Sequence, residues 1–290
     1  MTSHENGSAQ PVPAEGFEWR QTPAGLALVC RVLDLHAPHL FSTRGWTLGL
    51  APDGDRAAGW EQVARVVGVD LAHLARAHQV HGAAVLVRRA NEPQPATAAL
   101  QQADIIVSDN PAVALAIQSA DCVPLLIADR RTGVVAAAHA GWRGMAARVP
   151  AVAVEALARE FGSRPADLIA GAGPSIGACC YEVGADVRDA FRRGGFAEAL
   201  LSGWFFAAPL ATDRNPSIPG LPDSRRAHHW FFDGWAVTRH QLEDAGIPPQ
   251  QIHIAGLCTA SHPQLLCSYR RDGSSAGRLA AAIRRSYVVA

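Results

Sequence analysis

Lysine is absent from all 290 residues, so each of the 26 basic side chains is an arginine. That absence excludes chemistry built on a lysine amine: a Walker-type phosphate loop, a kinase catalytic lysine or a Schiff base. Any anion must be held by arginine forks, histidine or backbone N–H groups. Other absences narrow the field further. The 26 acidic residues cancel the 26 basic ones, so no overall field attracts nucleic acid. No apolar run approaches the roughly 20 residues of a membrane span. No Cys-x-x-Cys pair occurs among Cys30, Cys122, Cys179, Cys180, Cys258 and Cys267, which argues against a closed four-cysteine zinc site or a thioredoxin-type centre. Their irregular spacing does not suggest disulfide staples either, and most read as small buried hydrophobes. Residues Met1 to Glu15 are polar, without the apolar core of a signal peptide. They are expected to form a disordered tail on a cytoplasmic protein. No repeat or interdomain linker breaks 16–290, which reads as a single domain.

What is present is an ordinary globular composition, 49% hydrophobic and 18% charged. Apolar runs at Gly25 to Val32, Ala83 to Arg88, Ala103 to Ser108, Ala112 to Gln118, Val123 to Asp129 and Gly133 to His139 read as strands. The turns between them, such as Asp109-Asn110-Pro111, are short enough to predict antiparallel neighbours. Helical periodicity follows from Trp142 to Phe161, then a strand from Asp167 to Gly171 and a helix from Val183 to Arg193. A strand near Trp230 to Asp233 leads into a helix ending around Gly246, with Ile252 to Leu257 and Arg278 to Tyr287 completing the chain. The order suggests α+β or mixed α/β layers. Pro209 to Ser224 reads as a surface loop.

Three residues stand out. His81, Cys122 and His139 each lie where a strand hands over to a loop, in Gln79-Val80-His81-Gly82, Asp121-Cys122-Val123-Pro124 and His139-Ala140-Gly141-Trp142-Arg143-Gly144. Two imidazoles and a thiolate fill three positions of a tetrahedral zinc and leave one open, the pattern of a catalytic site. Taken singly, each has a plainer reading as a structural histidine or a core cysteine. Asp121 beside Cys122 adds weight, because an acid in an apolar strand pair is costly unless it is paired or functional. A helix start after His139 would offer N–H groups and Arg143 to an anion. The segment Gly171-Ala172-Gly173-Pro174-Ser175-Ile176-Gly177 superficially matches a dinucleotide fingerprint. Its last glycine is one residue late and Pro174 removes a donor, so it reads instead as a tight turn lining the pocket. Arg44 and the arginines of Ser268-Tyr269-Arg270-Arg271-Asp272-Gly273 are anion-binding candidates or salt-bridge partners.

The three metal-site segments, together with Gly173 to Gly177, Cys179-Cys180-Tyr181-Glu182-Val183-Gly184, Cys258-Thr259 and Ser268 to Gly273, resemble the YfiH family. Its members are also called laccase-domain or polyphenol oxidase proteins. The motifs occur in the family's order from Phe41 to about Ile283. The resemblance implies a single α/β/β/α-layered sandwich with largely mixed or antiparallel sheets, and zinc held by His81, Cys122 and His139. It also implies purine nucleoside phosphorylase activity on adenosine, inosine or methylthioadenosine, with adenosine deamination. The sequence departs from the family after Arg44, where only Gly45 to Leu50 stands in place of a longer loop. Gly59-Trp60-Glu61-Gln62 replaces an expected Asn-Arg pair, and Cys267 stands where the family has Phe.

On this reading Arg44 and Arg143 hold phosphate, Asp121 is a candidate for proton transfer, and an open zinc lowers the pKa of bound water. The expected partners are a purine nucleoside and phosphate, with no nucleic acid or membrane; oligomeric state is not legible. Three other readings compete. Cys122 and His139 could form a thiol hydrolase acting on peptide or peptidoglycan fragments. Copper suits the same three ligands, but a multicopper polyphenol oxidase needs His-x-His pairs and the sequence has none. The chain could also bind metal without turnover.

Overall fold

The computed structural model describes residues 10–46, 48, 56–92, 100–221 and 226–286. Two six-stranded sheets form its centre. One runs in the order Phe17–Thr22, Gly25–Cys30, His39–Ser42, Leu279–Arg284, Ala114–Ser119, Leu74–Ala75. The other runs Ile252–Ile254, Leu168–Ala172, Val123–Asp129, Val135–Ala140, Ile105–Ser108, Val85–Arg88. Most pairs are antiparallel, but Leu74–Ala75 lies parallel to Ala114–Ser119, Val85–Arg88 to Ile105–Ser108, and Leu168–Ala172 to Ile252–Ile254.

Alternate side chains of each strand face opposite sides, and in the central strands both sides are dry. Leu28, Phe41, Leu115 and Ile117 of the first sheet meet Ile106, Leu126, Ala137 and Ile169 of the second. The outer face of the first sheet is covered by helix Arg56–Val66, through Trp60, Val63 and Ala64. The outer face of the second is covered by helices Val149–Phe161, Ala185–Arg193 and Gly234–Asp244. The layers are therefore α/β/β/α with mixed sheets. Val123–Asp129 and Val135–Ala140 are buried at every position, so their uninterrupted apolar runs follow from packing on both faces.

Several expectations need correction. The helix expected over Trp142 to Phe161 is two helices, Trp142–Ala146 and Val149–Phe161. Between them Arg148 takes φ 63°, and Pro150 in the first turn of the second helix has no N–H to continue the first. Val183 belongs to strand Glu182–Gly184, and the helix starts at Ala185. The strands flanking Asp109-Asn110-Pro111 are not neighbours, because Ile105–Ser108 and Ala114–Ser119 lie in different sheets. Asn110 N donates to Ser108 Oγ at 2.9 Å and Ala112 N to Asn110 Oδ1 at 2.9 Å. These bonds steer the chain from one layer to the other. Of the expected tail, residues 1–9 lie outside the described residues; Ala14 N donates to Ala255 O at 2.8 Å. Most of the shortened segment after Trp46 also falls outside them.

Candidate metal centre

Strand register brings the site together. Val135–Ala140 lies between two antiparallel partners, with Pro124 opposite His139 on one side and Ile105 opposite Ala138 on the other. Cys122 and Asp104 immediately precede those partner strands, so they flank His139. His81 comes from a turn at φ 60°. Gln79 pins that turn by bonding the Gln118 backbone twice, Nε2 to O at 2.7 Å and Oε1 from N at 2.8 Å. The ligand atoms of His81, Cys122 and His139 all lie within 4.8 Å of one another, and the two imidazoles meet edge-on with centroids 4.8 Å apart.

Asp104, absent from the residues singled out in sequence, organises this cluster. It is fully buried. Its carboxylate accepts the backbone N–H groups of Val80, His81 and Gly82 at 3.1, 3.0 and 2.7 Å. It also meets His139 Nδ1 at 2.8 Å. A proton on Nδ1 satisfies that contact and leaves Nε2 as the coordinating nitrogen, the second-layer carboxylate expected behind a metal-bound histidine. Its sequence signal, an acid opening the apolar run Asp104-Ile105-Ile106-Val107, is the same in kind as that of Asp121.

Gly141 provides the space. A Cβ there would stand 2.9 Å from Cys122 Sγ and 3.0 Å from His81 Cδ2, so any side chain would enter the centre of the cluster. Burial alone would push the half-buried Cys122 thiol up, but His139 and His81 outweigh it and hold it at about 6. Burial alone would lower His139; the Cys122 charge and the Asp104 hydrogen bond instead raise it to about 9. Without metal, the pair is a thiolate facing an imidazolium. The donor set, the fixed tautomer and the side-chain-free cradle at Gly141 fit a metal ion.

The cluster opens on a cavity of about 630 Å³ whose walls include Asp121, Arg143, Tyr181, Arg270 and Arg278. Arg143 lies over the Trp142 ring, 4.1 Å from its centroid. Asp121, at φ 88°, accepts Thr259 Oγ1–H at 2.6 Å and Arg270 N–H at 2.6 Å. Burial pushes its carboxyl up from the usual range, against these two hydrogen bonds. Arg44 is not on this wall; its guanidinium donates to Pro263 O. Arg271 is structural, donating to Thr259 O, Ala260 O and Leu266 O. Arg270 and Arg278, which sequence could not separate from salt-bridge partners, face the cavity. The Gly173 to Gly177 turn does not line the main cavity. It braces the Asp121–Cys122 turn from behind, Ile176 N donating to Asp121 O at 2.9 Å. The helix after His139 has only five residues, so little dipole reaches the cavity.

Residues 55–286 match the family model described as multi-copper polyphenol oxidoreductase laccase. A Deinococcus radiodurans protein named purine nucleoside phosphorylase is 33% identical over 90% of this chain and 94% of its own length. A protein of the same name from Bacteroides thetaiotaomicron is 33% identical over 63% of this chain, which spans 61% of that relative. An adenosine deaminase from an unknown prokaryote is 31% identical over 77% of this chain and 79% of its own. The crystal structure of the Bacillus licheniformis hypothetical protein YfiH superposes with a TM-score of 0.76 at 27% identity, covering 92% of this chain and 99% of that one.

Proposed function

This chain belongs to the family described as multi-copper polyphenol oxidoreductase laccase, and from that premise we propose that it is a metal-dependent purine nucleoside phosphorylase. Its substrates are adenosine, inosine and methylthioadenosine, with adenosine deamination as a second activity. Relatives named for both reactions support an enzyme of this kind. The observation that carries the reading is the His81, Cys122 and His139 cluster at the edge of an arginine-bearing cavity. We assign zinc to the cluster, with copper as the alternative for the same donors. When bound, the ion supplies Lewis acidity and makes a water in the cavity more acidic.

Phosphorolysis forms a bond from a phosphate oxygen to the ribose anomeric carbon and breaks the bond to the purine nitrogen. The purine leaves with the electron pair and takes up a proton. Arg143 holds the phosphate, with Arg270 and Arg278 as further cations on the same wall; an arginine has donors enough to bind phosphate while keeping a backbone contact. Arg44, which turns to Pro263, supports the loop beside the cavity. Asp121 is the candidate for moving the proton. Tyr181 gives the base an aromatic wall. Arg143→Ala is expected to raise the KM for phosphate at least tenfold, while Arg44→Ala changes it less than twofold; steady-state phosphorolysis at varied phosphate distinguishes them.

A second reading has one specific observation in its favour. Cys122, His139 and Asp104 stand in the order nucleophile, base and orienting acid, as a thiol hydrolase acting on peptide or peptidoglycan fragments would require. Two measurements separate the readings. Zinc-loaded protein is incubated with adenosine with and without phosphate, and the products are resolved by chromatography. Phosphate-dependent adenine establishes phosphorolysis, and inosine formed without phosphate establishes deamination. Neither product, with iodoacetamide-sensitive peptide hydrolysis that survives chelation, establishes the thiol hydrolase.

A further inference from the structure

Cys179, Cys180 and Cys258 have no part in the site described above, yet their sulfurs lie within 4.8 Å of one another. All three are buried, at 2%, 0% and 0% exposure. Successive side chains of an extended chain point apart, so two adjacent cysteines directed at one point need a special backbone. Here the chain turns at Gly177 to Tyr181, with Cys180 N and Tyr181 N both donating to Gly177 O at 2.9 and 3.0 Å. Cys258 reaches the same point from a separate segment, which a bridge between Ser175 and Cys258 holds alongside.

One backbone donor points at the sulfurs, and a serine oxygen and a carbonyl lie against them. Gly177 N–H is directed at Cys258 Sγ at 3.4 Å. Ser261 Oγ lies 3.6 Å from Cys179 Sγ and 3.5 Å from Cys180 Sγ. Its hydroxyl donates to Pro216 O at 2.6 Å, which leaves the oxygen lone pairs toward the sulfurs, and Pro216 O itself lies 3.6 Å from Cys180 Sγ. A third segment closes over the cluster: Asn215 Oδ1 accepts Cys258 N–H at 2.8 Å, and Ser217 Oγ donates to Cys179 O at 2.7 Å. Beyond these lies an apolar shell that includes Ile176, Ala260 and Trp235. Buried cysteines acting only as small hydrophobes have no need of three converging sulfurs with a backbone N–H directed at one of them.

We propose that Cys179, Cys180 and Cys258 form a second metal site, a three-thiolate centre for a thiophilic cation of the zinc type. Thiolates around a tetrahedral zinc, with Zn–S near 2.3 Å, stand about 3.8 Å apart, within the spread of these sulfurs. Ser261 Oγ or a water completes the tetrahedron. Entry is short, because Pro216 and Ser261, which lie against the sulfurs, also line cavities of about 590 and 500 Å³. The role is structural. The ion ties the Gly177 to Tyr181 turn to the segment carrying Thr259, whose hydroxyl holds Asp121.

The test uses full-length, reduced, metal-stripped protein titrated anaerobically with Co²⁺, read by bound equivalents and by thiolate-to-cobalt charge transfer. Two equivalents per chain are expected. Cys122→Ser should lose one and keep most of the charge-transfer intensity; Cys258→Ser should lose the other and most of that intensity. Wild-type protein that binds one equivalent, abolished by Cys122→Ser, overturns the proposal. So does a Cys258→Ser protein, folded by circular dichroism, that still binds two. Should Cys258→Ser not fold, Cys179→Ser and Cys180→Ser are read in the same way. Free thiols are also counted in protein prepared without reductant and denatured in a chelator. Six, the full complement, is expected; four, restored to six by reductant, identifies a disulfide pair and overturns the metal site. Because Cys122→Ser removes only the first site, failure of this proposal is distinguishable from failure of the catalytic reading.

Discussion

At the scale of single residues, the site depends on a carboxylate that would not itself touch the ion. Asp104 fixes both the His139 ring and the backbone of the His81 turn. Asp104→Asn is therefore expected to weaken zinc binding by about 10- to 100-fold, the usual cost of losing such a partner; competition with a chromophoric chelator measures it. The same geometry sets the reactivity of Cys122. Its thiol is held at about 6 by its two histidines, against burial, where an ordinary cysteine titrates near ~8.5. A lowered pKa keeps the thiolate present above about 6 and loses it only as pH falls through that value. In metal-stripped protein, alkylation of Cys122 by iodoacetamide should be half-maximal near pH 6, followed by mass spectrometry of the Cys122 peptide. In His139→Ala the midpoint should move up. A midpoint near 8.5 in the unsubstituted protein would contradict the thiolate–imidazolium pairing.

At the scale of elements, glycine and proline decide where chain segments can approach. Gly173 follows strand Leu168–Ala172, and a Cβ there would overlap the Phe41 ring of the opposite sheet. The Gly-Ala-Gly-Pro run, which a dinucleotide site would use against pyrophosphate, serves here to let one sheet pass close to another. Gly173→Ala should destabilise the fold by about 1–3 kcal/mol, as overpacking does, with a lower urea midpoint at unchanged slope. An equal or raised midpoint would mean that the sheets yield at no cost. Pro150 acts in the opposite direction, by ending a helix. It splits the expected helix in two, and only the short Trp142–Ala146 piece stands at the cavity. The proposed phosphate binding therefore rests on side-chain cations more than on a helix dipole.

At the scale of the whole molecule, two sheets pressed face to face support loops that gather at one end, and metal would tie those loops together. Ligand that binds only the folded state stabilises it by mass action, about 2.7 kcal/mol at a hundredfold excess over Kd. The Tm of stripped protein should accordingly rise with added Zn²⁺ in differential scanning calorimetry, and the rise should vanish in the Cys122→Ser/Cys258→Ser double variant; a rise that survives in that variant would mean zinc acts elsewhere. No helix among the described residues is long and apolar enough to cross a membrane. Much of this was legible in the linear chain. Doubly buried strands such as Val123–Asp129 write themselves as unbroken apolar runs, and the three candidate ligands stood out as chemistry-bearing residues at strand ends. Their meeting was not legible, because it depends on register: Cys122 and Asp104 reach His139 only through the pairings Pro124 with His139 and Ile105 with Ala138. For the same reason Arg44 and Arg270, both arginines near strand ends, could not be told apart until one turned to Pro263 and the other to the cavity. Composition and local pattern determined which residue types and elements this protein has to work with. Which of them share a site was decided by long-range pairing, since that is set by contacts between segments far apart in sequence.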